Sequence, residues 1–343
     1  MRTSVIAGLF ALLMVAYLPL WSNGFVYEDW NLFSHAGPKW GALAGLKPTG
    51  ELTMASWDLQ RGNKPFPDPR LAHGINLALH VVVGLLAGFL ALRLEWPLPW
   101  LVTGVIWLHP LNVEAVAYGS GRGELLVAVG LLMSALAVTV QGWRRRIGLL
   151  AGAWLAMHAK PNGIVVFGIV PLVWWYQTRE QRAWRTQWFP SWAVTVFAVA
   201  VLIELPLVLL FANAWNVENG VGMTWWRWVS SESTAFLRLI GMVVVPLGQN
   251  IDFDYASVPQ WWQTTCVGIV VWMVAMVWAC RKRLPEATFI FGWLLIVIAP
   301  RFFVKVPLSV LNEHHWYPAM VGMAFWCPAC IDRWLTPKTL KSR

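Results

Sequence analysis

Apolar runs long enough to cross a lipid bilayer, separated by polar loops and small knots of arginine, decide what this chain can fold into. About 20 apolar residues span a membrane. Backbone in lipid must satisfy its own hydrogen bonds, which leaves helices as the natural spanning structure. Such runs fall near 5–22, 71–92, 98–109, 123–141, 147–158, 162–176, 191–212, 261–280, 286–300 and 317–331. The third and fifth are short. Composition agrees: 58% of the 343 residues are hydrophobic. Only 13% are charged, where a soluble domain carries about a quarter. The mean hydropathy is +0.55. An all-α polytopic membrane protein, one domain over 1–343, is the fold class expected.

The charges orient it. Arg2, Arg144, Arg145, Arg146, Arg179, Arg182, Arg185, Arg281, Lys282, Arg283, Lys338, Lys341 and Arg343 fall in short clusters between apolar runs. Ten spans beginning inside place every cluster in the cytoplasm, as the positive-inside rule requires. The net charge of +9 therefore reads as contact with anionic membrane lipids, and nucleic acid is rejected as a partner. Many of the 26 tryptophans are expected at headgroup depth. The opening MRTSVIAGLFALLMVAYLPLWSNG has no small-residue cleavage site and reads as a retained signal anchor. The run from Ala235 to Leu247 lies between two loops that must both be outside, so it is predicted to be re-entrant or interfacial.

On this threading the chemically rich loops share one side. The first, about 23–70, holds Tyr27-Glu28-Asp29-Trp30; a carboxylate so close to the interface suits a general base. HPLNVEAVAYGSGRGELL, residues 109–126, sets His109, Glu114, Arg122 and Glu124 between two apolar runs. An arginine flanked by glycines at the head of a span can hold phosphate bidentately, although a snorkelling arginine gives the same pattern. Lys160, in Lys-Pro-Asn-Gly, is costly at that depth and calls for an anionic partner, either phosphate or an acid of the first loop. His73, Asn76 and His80 share one helix face and suit interhelix hydrogen bonds, with His73 nearest the outer loops. Glu204, deep in the seventh run, is a candidate without an evident partner. Glu313-His314-His315-Trp316-Tyr317 precedes the last run. Its two histidines and acid would bind a metal only with ligands from other loops, because adjacent side chains diverge.

Of the four cysteines, Cys266, Cys280, Cys327 and Cys330, none suggests a disulfide framework. Cys327-Pro-Ala-Cys330 has redox spacing, but a redox pair needs an exposed helix N-terminus. Inside an apolar run, these cysteines are expected to be buried small residues.

GFVYEDW, HGINLALH, HPLNVEAVAYGSGRGELL, AKPNGIVV, FLRLIGMVVVPLGQNIDFDY and NEHHWYP, in this order from about residue 20 to 325, resemble the C-type integral-membrane glycosyltransferases. The likeness is to the O-mannosyltransferase-like branch that often carries tetratricopeptide repeats, here absent. It implies a GT-C-like bundle of about ten helices in, for instance, a bacterial inner membrane, with its active face periplasmic or external. It implies inverting transfer of a sugar from a polyprenyl-phosphate donor to a hydroxyl of an acceptor protein or glycan. Asp29 stands where the family's catalytic acid falls, beside Glu28 in place of a first Asp. Arg122, Lys160, Arg238 and Arg301 become candidates for the donor phosphate. His73, His109, Glu114, Glu124, Asp254, Glu313, His314, His315 and Tyr317 become candidates for substrate contact. No cofactor is required by this scheme, and a divalent metal is left open. Glu124 replaces a usual Asp, Pro161 a usual Glu, and His314 or His315 a usual Arg. The rival class, a lipid-linked sugar flippase or small transporter, would need charges along a path through the membrane, for which Glu204 and His80 are the candidates.

Overall fold

The computed structural model describes residues 2–26, 29, 51–62, 64, 66–179, 225–249, 284–303 and 313–335, with isolated positions 270, 273, 274, 278 and 282. Helices and short 3-10 turns make up the regular structure, and no strand occurs among the described residues. The helices are α1 (Arg2–Ala16), α2 (Glu51–Arg61), α3 (Pro69–Arg93), α4 (Pro99–Leu108), α5 (Val113–Ala117), α6 (Arg122–Val138) and α7 (Trp143–Ala159). They continue with α8 (Val166–Thr178), α9 (Trp225–Val244), α10 (Pro285–Phe303), α11 (Tyr317–Met323) and α12 (Trp326–Leu335).

Among the described residues, four helical stretches are long and apolar enough to cross a membrane: Thr3–Ser22, Pro69–Arg93, Gly119–Val138 and Pro285–Phe302. Pro99–Leu108 and Pro110–Ala117, bent by 60°, make a fifth if they are one broken span. The described residues are thus all-helical, with four or five stretches able to cross a membrane; ten spans were expected over the whole chain. The expected spans at 191–212 and 261–280, and Glu204, lie outside the described residues. Those at 147–158 and 162–176 are helices of 17 and 13 residues. The run 317–331 is not one helix but two, of 7 and 10 residues, parted at Ala324 and Phe325. The segment expected from Ala235 begins ten residues earlier, as the 20-residue amphipathic helix α9.

Local chemistry explains the boundaries. Asp68 caps α3, its carboxylate accepting the Arg70 N–H at 2.9 Å, and Pro69 starts the first turn where no N–H is needed. Central α6 is 83% buried along its span, whereas peripheral α1 is 17% buried and turns most of its apolar surface outward. α6 and α7 pack closely at Gly130 and Gly152. A Cβ on Gly130 would stand 2.6 Å from the Gly152 carbonyl oxygen, so only glycine permits this approach.

Helix lengths shape the site. α3, with 25 residues, is about 37 Å long, and α4, with 10, about 15 Å. His80 lies eleven residues on from Pro69, about 16 Å along the α3 axis. It hydrogen bonds the Trp107 carbonyl at the end of α4 and the Tyr317 hydroxyl at the start of α11. Both helices therefore stop level with the middle of α3. Above them the space is filled by the 109–124 segment, by the 3-10 turn Glu313–Trp316 and by α2 from the first loop. The tryptophans divide: Trp57, Trp107, Trp228, Trp293 and Trp316 are fully buried packing residues. Trp21, Trp143, Trp154, Trp278 and Trp326 are exposed.

Candidate functional site

The head of α6 and the 3-10 turn before it, Gly119–Gly121, organise the charged residues. Asp29 reaches this turn from the end of the segment after α1. Its side chain is buried, and Oδ1 accepts the Ser120 N–H at 3.1 Å. A Cβ on Gly119 would lie 2.7 Å from that oxygen, so the close approach depends on glycine. The free N–H groups at a helix start favour a carboxylate there. The sequence-predicted acid is thus brought against the 109–126 motif. Glu28, its neighbour, lies outside the described residues, as does Asp254.

Arg122 is buried and committed to neutral partners. Its Nε–H donates to Asn76 Oδ1 at 2.9 Å, NH1 to Ser56 Oγ at 3.3 Å, and NH2 to Gln60 Oε1 at 2.8 Å and the Ala72 carbonyl at 3.3 Å. The guanidinium carbon stands 3.4 Å from the centroid of the Trp57 ring. Asn76 in turn donates to the Val116 and Tyr118 carbonyls at 3.2 Å each. Arg122 therefore does not snorkel. It clamps α2 and α3 to the head of α6, and Asn76 makes the structural interhelix bonds expected of its face.

The other acids and bases form two linked pairs. Lys160 Nζ donates to Glu124 Oε1 at 2.7 Å and to His315 Nδ1 at 3.1 Å, while Asn162 Nδ2 donates to Glu124 Oε2 at 2.9 Å. Lys160 has its anionic partner, but that partner is Glu124 of the 109–126 motif, where phosphate or a first-loop acid was expected. His315 Nδ1 also stands 3.1 Å from Glu124 Oε1, so Lys160 and His315 share that carboxylate oxygen. Burial, reinforced by Lys160, His314 and Arg301, holds the His315 pKa well below the ordinary histidine value, in keeping with a neutral ring. His314 Nδ1–H donates to Glu114 Oε1 at 2.6 Å, and its backbone N–H to Oε2 at 3.2 Å. The two rings stand 4.0 Å apart, so these neighbours do not diverge as expected but pack together against different carboxylates. Tyr118 meets His314 edge-on at 5.2 Å. Among the described residues no three such groups converge as metal ligands. Glu313 begins the same turn, but its side chain is outside the described set.

Arg301 closes the group at the end of α10. It forms a bidentate pair with Glu232 of α9, at 3.0 and 3.1 Å, and lies 5.3 Å from the Trp316 ring centroid. The remaining candidates lie elsewhere. Arg238 is exposed and donates to the Gly248 carbonyl at 3.1 Å. His109 donates through Nε2 to the Val243 carbonyl at 3.1 Å and accepts the Leu111 N–H on Nδ1, tying α9 to the motif. Tyr317 is engaged with His80, and His73 is buried against the Phe25 ring.

Ser56, Trp57 and Gln60, with Thr53 bonded to the Ala159 carbonyl at 2.7 Å, were missed by sequence reasoning. Their spacing of three, four and seven residues marks one face of a helix and was the available signal. Asn162 and Glu232 were missed too; Asn162 sits inside the Lys-Pro-Asn-Gly motif, and Glu232 carries no local signal. Comparison of the chain with protein families, with curated proteins and with solved structures returns no match.

Proposed function

We propose that this protein is an inverting glycosyltransferase, working on the non-cytoplasmic face of a ten-span GT-C-like bundle. It moves a sugar from a polyprenyl-phosphate donor to a hydroxyl of a protein or glycan. One observation carries the reading. The segment Gly119–Glu124 holds a buried carboxylate, Asp29, at its first turn and the Glu124–Lys160–His315 group at its end. Ser120 and Glu124 are four residues apart, about 6–8 Å along a helical axis. That separation suits a base and a phosphate-binding cation on either side of a reacting sugar.

In this scheme Asp29 takes the proton of the acceptor hydroxyl, whose oxygen attacks the anomeric carbon. The bond from that carbon to the phosphate oxygen breaks, and charge grows on the departing lipid phosphate. Lys160 is its first ligand: an ammonium has three donors, and two are used among the described residues. The guanidinium of Arg301 reinforces it, with the His315 ring beside Lys160, so fixed polar groups meet the charge as it develops. Arg122 serves by holding α2 in place, and Glu114 by fixing His314. The lipid tail lies between helices. The scheme draws its positive charge from the protein and calls for no metal.

The test is purified protein in lipid nanodiscs, given labelled polyprenyl-phosphate sugars with peptide and glycan acceptors. Transfer with inversion at the anomeric carbon is the expected result. Movement of intact donor across the bilayer without transfer would replace the reading with a flippase.

A further inference from the structure

The apolar run at the end of the described chain breaks, and the break changes the standing of two cysteines. Phe325 lies in the two-residue turn between α11 and α12 and packs into an aromatic cluster, with ring centroids 5.0 Å from Trp96 and 5.4 Å from Phe289. Tyr176 stacks on Trp96 at 5.5 Å in the same cluster. The chain then starts afresh as α12, with Trp326, Cys327 and Pro328 in its first turn. Pro328 has no N–H to lose there. A buried position within a span was expected for Cys327 and Cys330. Instead both are free and exposed, beside exposed Trp326 and Ile331. The exposed helix start that a C-x-x-C pair needs is therefore present.

The spacing fits covalent closure. Residues three apart in an α-helix have Cα atoms about 5 Å apart. A disulfide needs roughly 4.4–6.8 Å between them. The location is separate from the candidate site. Phe289 opens α10 and Arg301 closes it, twelve residues or about 18 Å further on. The dithiol thus sits at the end that also carries Arg179, stacked on Tyr176. This is the end assigned to the cytoplasm by its basic clusters, where thiols are held reduced and a C-x-x-C pair has a redox use.

We propose that Cys327 and Cys330 form a redox-active dithiol that closes reversibly as an intrahelical disulfide by exchange with a small-molecule disulfide. One thiolate attacks a sulfur of the small disulfide, forming a mixed disulfide and releasing one small thiolate, which takes up the proton. The second cysteine, deprotonated in turn, attacks the protein sulfur of that mixed disulfide and releases the second small thiol. The protein loses two hydrogens and two electrons, and the small disulfide gains them.

Full-length protein in nanodiscs, equilibrated across ratios of reduced to oxidised glutathione, alkylated and mapped by mass spectrometry, tests this. The expected result is a Cys327–Cys330 bridge, with the loss of two hydrogens and of both alkylation sites, reversed by excess reduced glutathione. In Cys330→Ser, Cys327 should stop at the mixed disulfide, and Cys327→Ser should leave Cys330 in the same state. Both thiols remaining alkylatable at every ratio, each carrying its own glutathione, or a bridge from either to Cys266 or Cys280 would overturn the proposal. Both positions are exposed, so the serine variants should fold.

Discussion

Replacing Glu124 by alanine isolates the interaction on which the candidate site rests. The carboxylate is buried and accepts from Lys160 at 2.7 Å and Asn162 at 2.9 Å. Removing one partner of a buried ion pair costs about 3–5 kcal/mol. The Lys160 side chain is 30% exposed, so water recovers part of its solvation and the loss falls to roughly 2–3 kcal/mol. The stranded Asn162 amide adds about 1 kcal/mol. Glu124→Ala should therefore destabilise by about 3–4 kcal/mol. Glu124→Gln, which keeps an acceptor, should cost less. Lys160→Ala alone leaves a buried carboxylate unpaired, and the double variant should recover about 1.5–3 kcal/mol relative to the sum of the single changes. Equilibrium unfolding in mixed micelles, followed by tryptophan fluorescence, measures each leg of this cycle. Additivity within about 0.3–0.5 kcal/mol would show that the two groups do not interact, and the arrangement around Lys160 would be wrong.

Three further outcomes follow from the same contacts. His315 has a folded-state pKa held below its unfolded value of about 6.5, so the unfolded chain binds the extra proton between the two values. Its contribution to stability is full above about pH 6.5 and is lost as pH falls towards the folded pKa; His315→Gln should flatten that acid limb in a series of unfolding curves. Gly119→Ala places a methyl group 2.7 Å from Asp29 Oδ1. It should cost about 1–3 kcal/mol and depress transfer, and full activity in a turnover assay would show that Asp29 needs no such approach. Arg122→Lys loses the planar fork that reaches Asn76, Ser56 and Gln60 together. It should loosen α2, seen as faster hydrogen exchange over 51–61, whereas unchanged protection would remove Arg122 as the clamp.

The long helices were legible because an apolar run bounded by polar residues admits few alternatives: α3 and α10 fall within a few residues of the runs 71–92 and 286–300. The need of Lys160 for an anion was legible too, but not which anion. That choice is made by packing, since α6 and α7 run antiparallel and bring the head of one to the tail of the other. Helix α2 was hidden in a long loop because its apolar face is a single turn or two around Trp57 and Ala55. The break before α12 was hidden for the opposite reason. Residues 317–331 read as continuous apolar sequence, which does not mark the turn at Ala324 and Phe325, where Phe325 packs into the aromatic cluster. Tryptophan is ambiguous from sequence in the same way: an indole fills a helix junction as readily as it sits at an interface, and Trp293 does the former, donating to the Pro318 carbonyl at 2.9 Å.

The central claim is that Asp29, docked on the Gly119–Gly121 turn, is the base of a glycosyl transfer. Asp29→Asn keeps the size of the side chain and an acceptor for the Ser120 N–H while removing the basic charge. The decisive measurement is the turnover rate of this variant against the wild type with a polyprenyl-phosphate sugar and its acceptor, alongside donor binding and thermal unfolding. The account expects a fall of about 10²–10⁴-fold in rate with binding and unfolding essentially unchanged. A rate within a few-fold of wild type would contradict it.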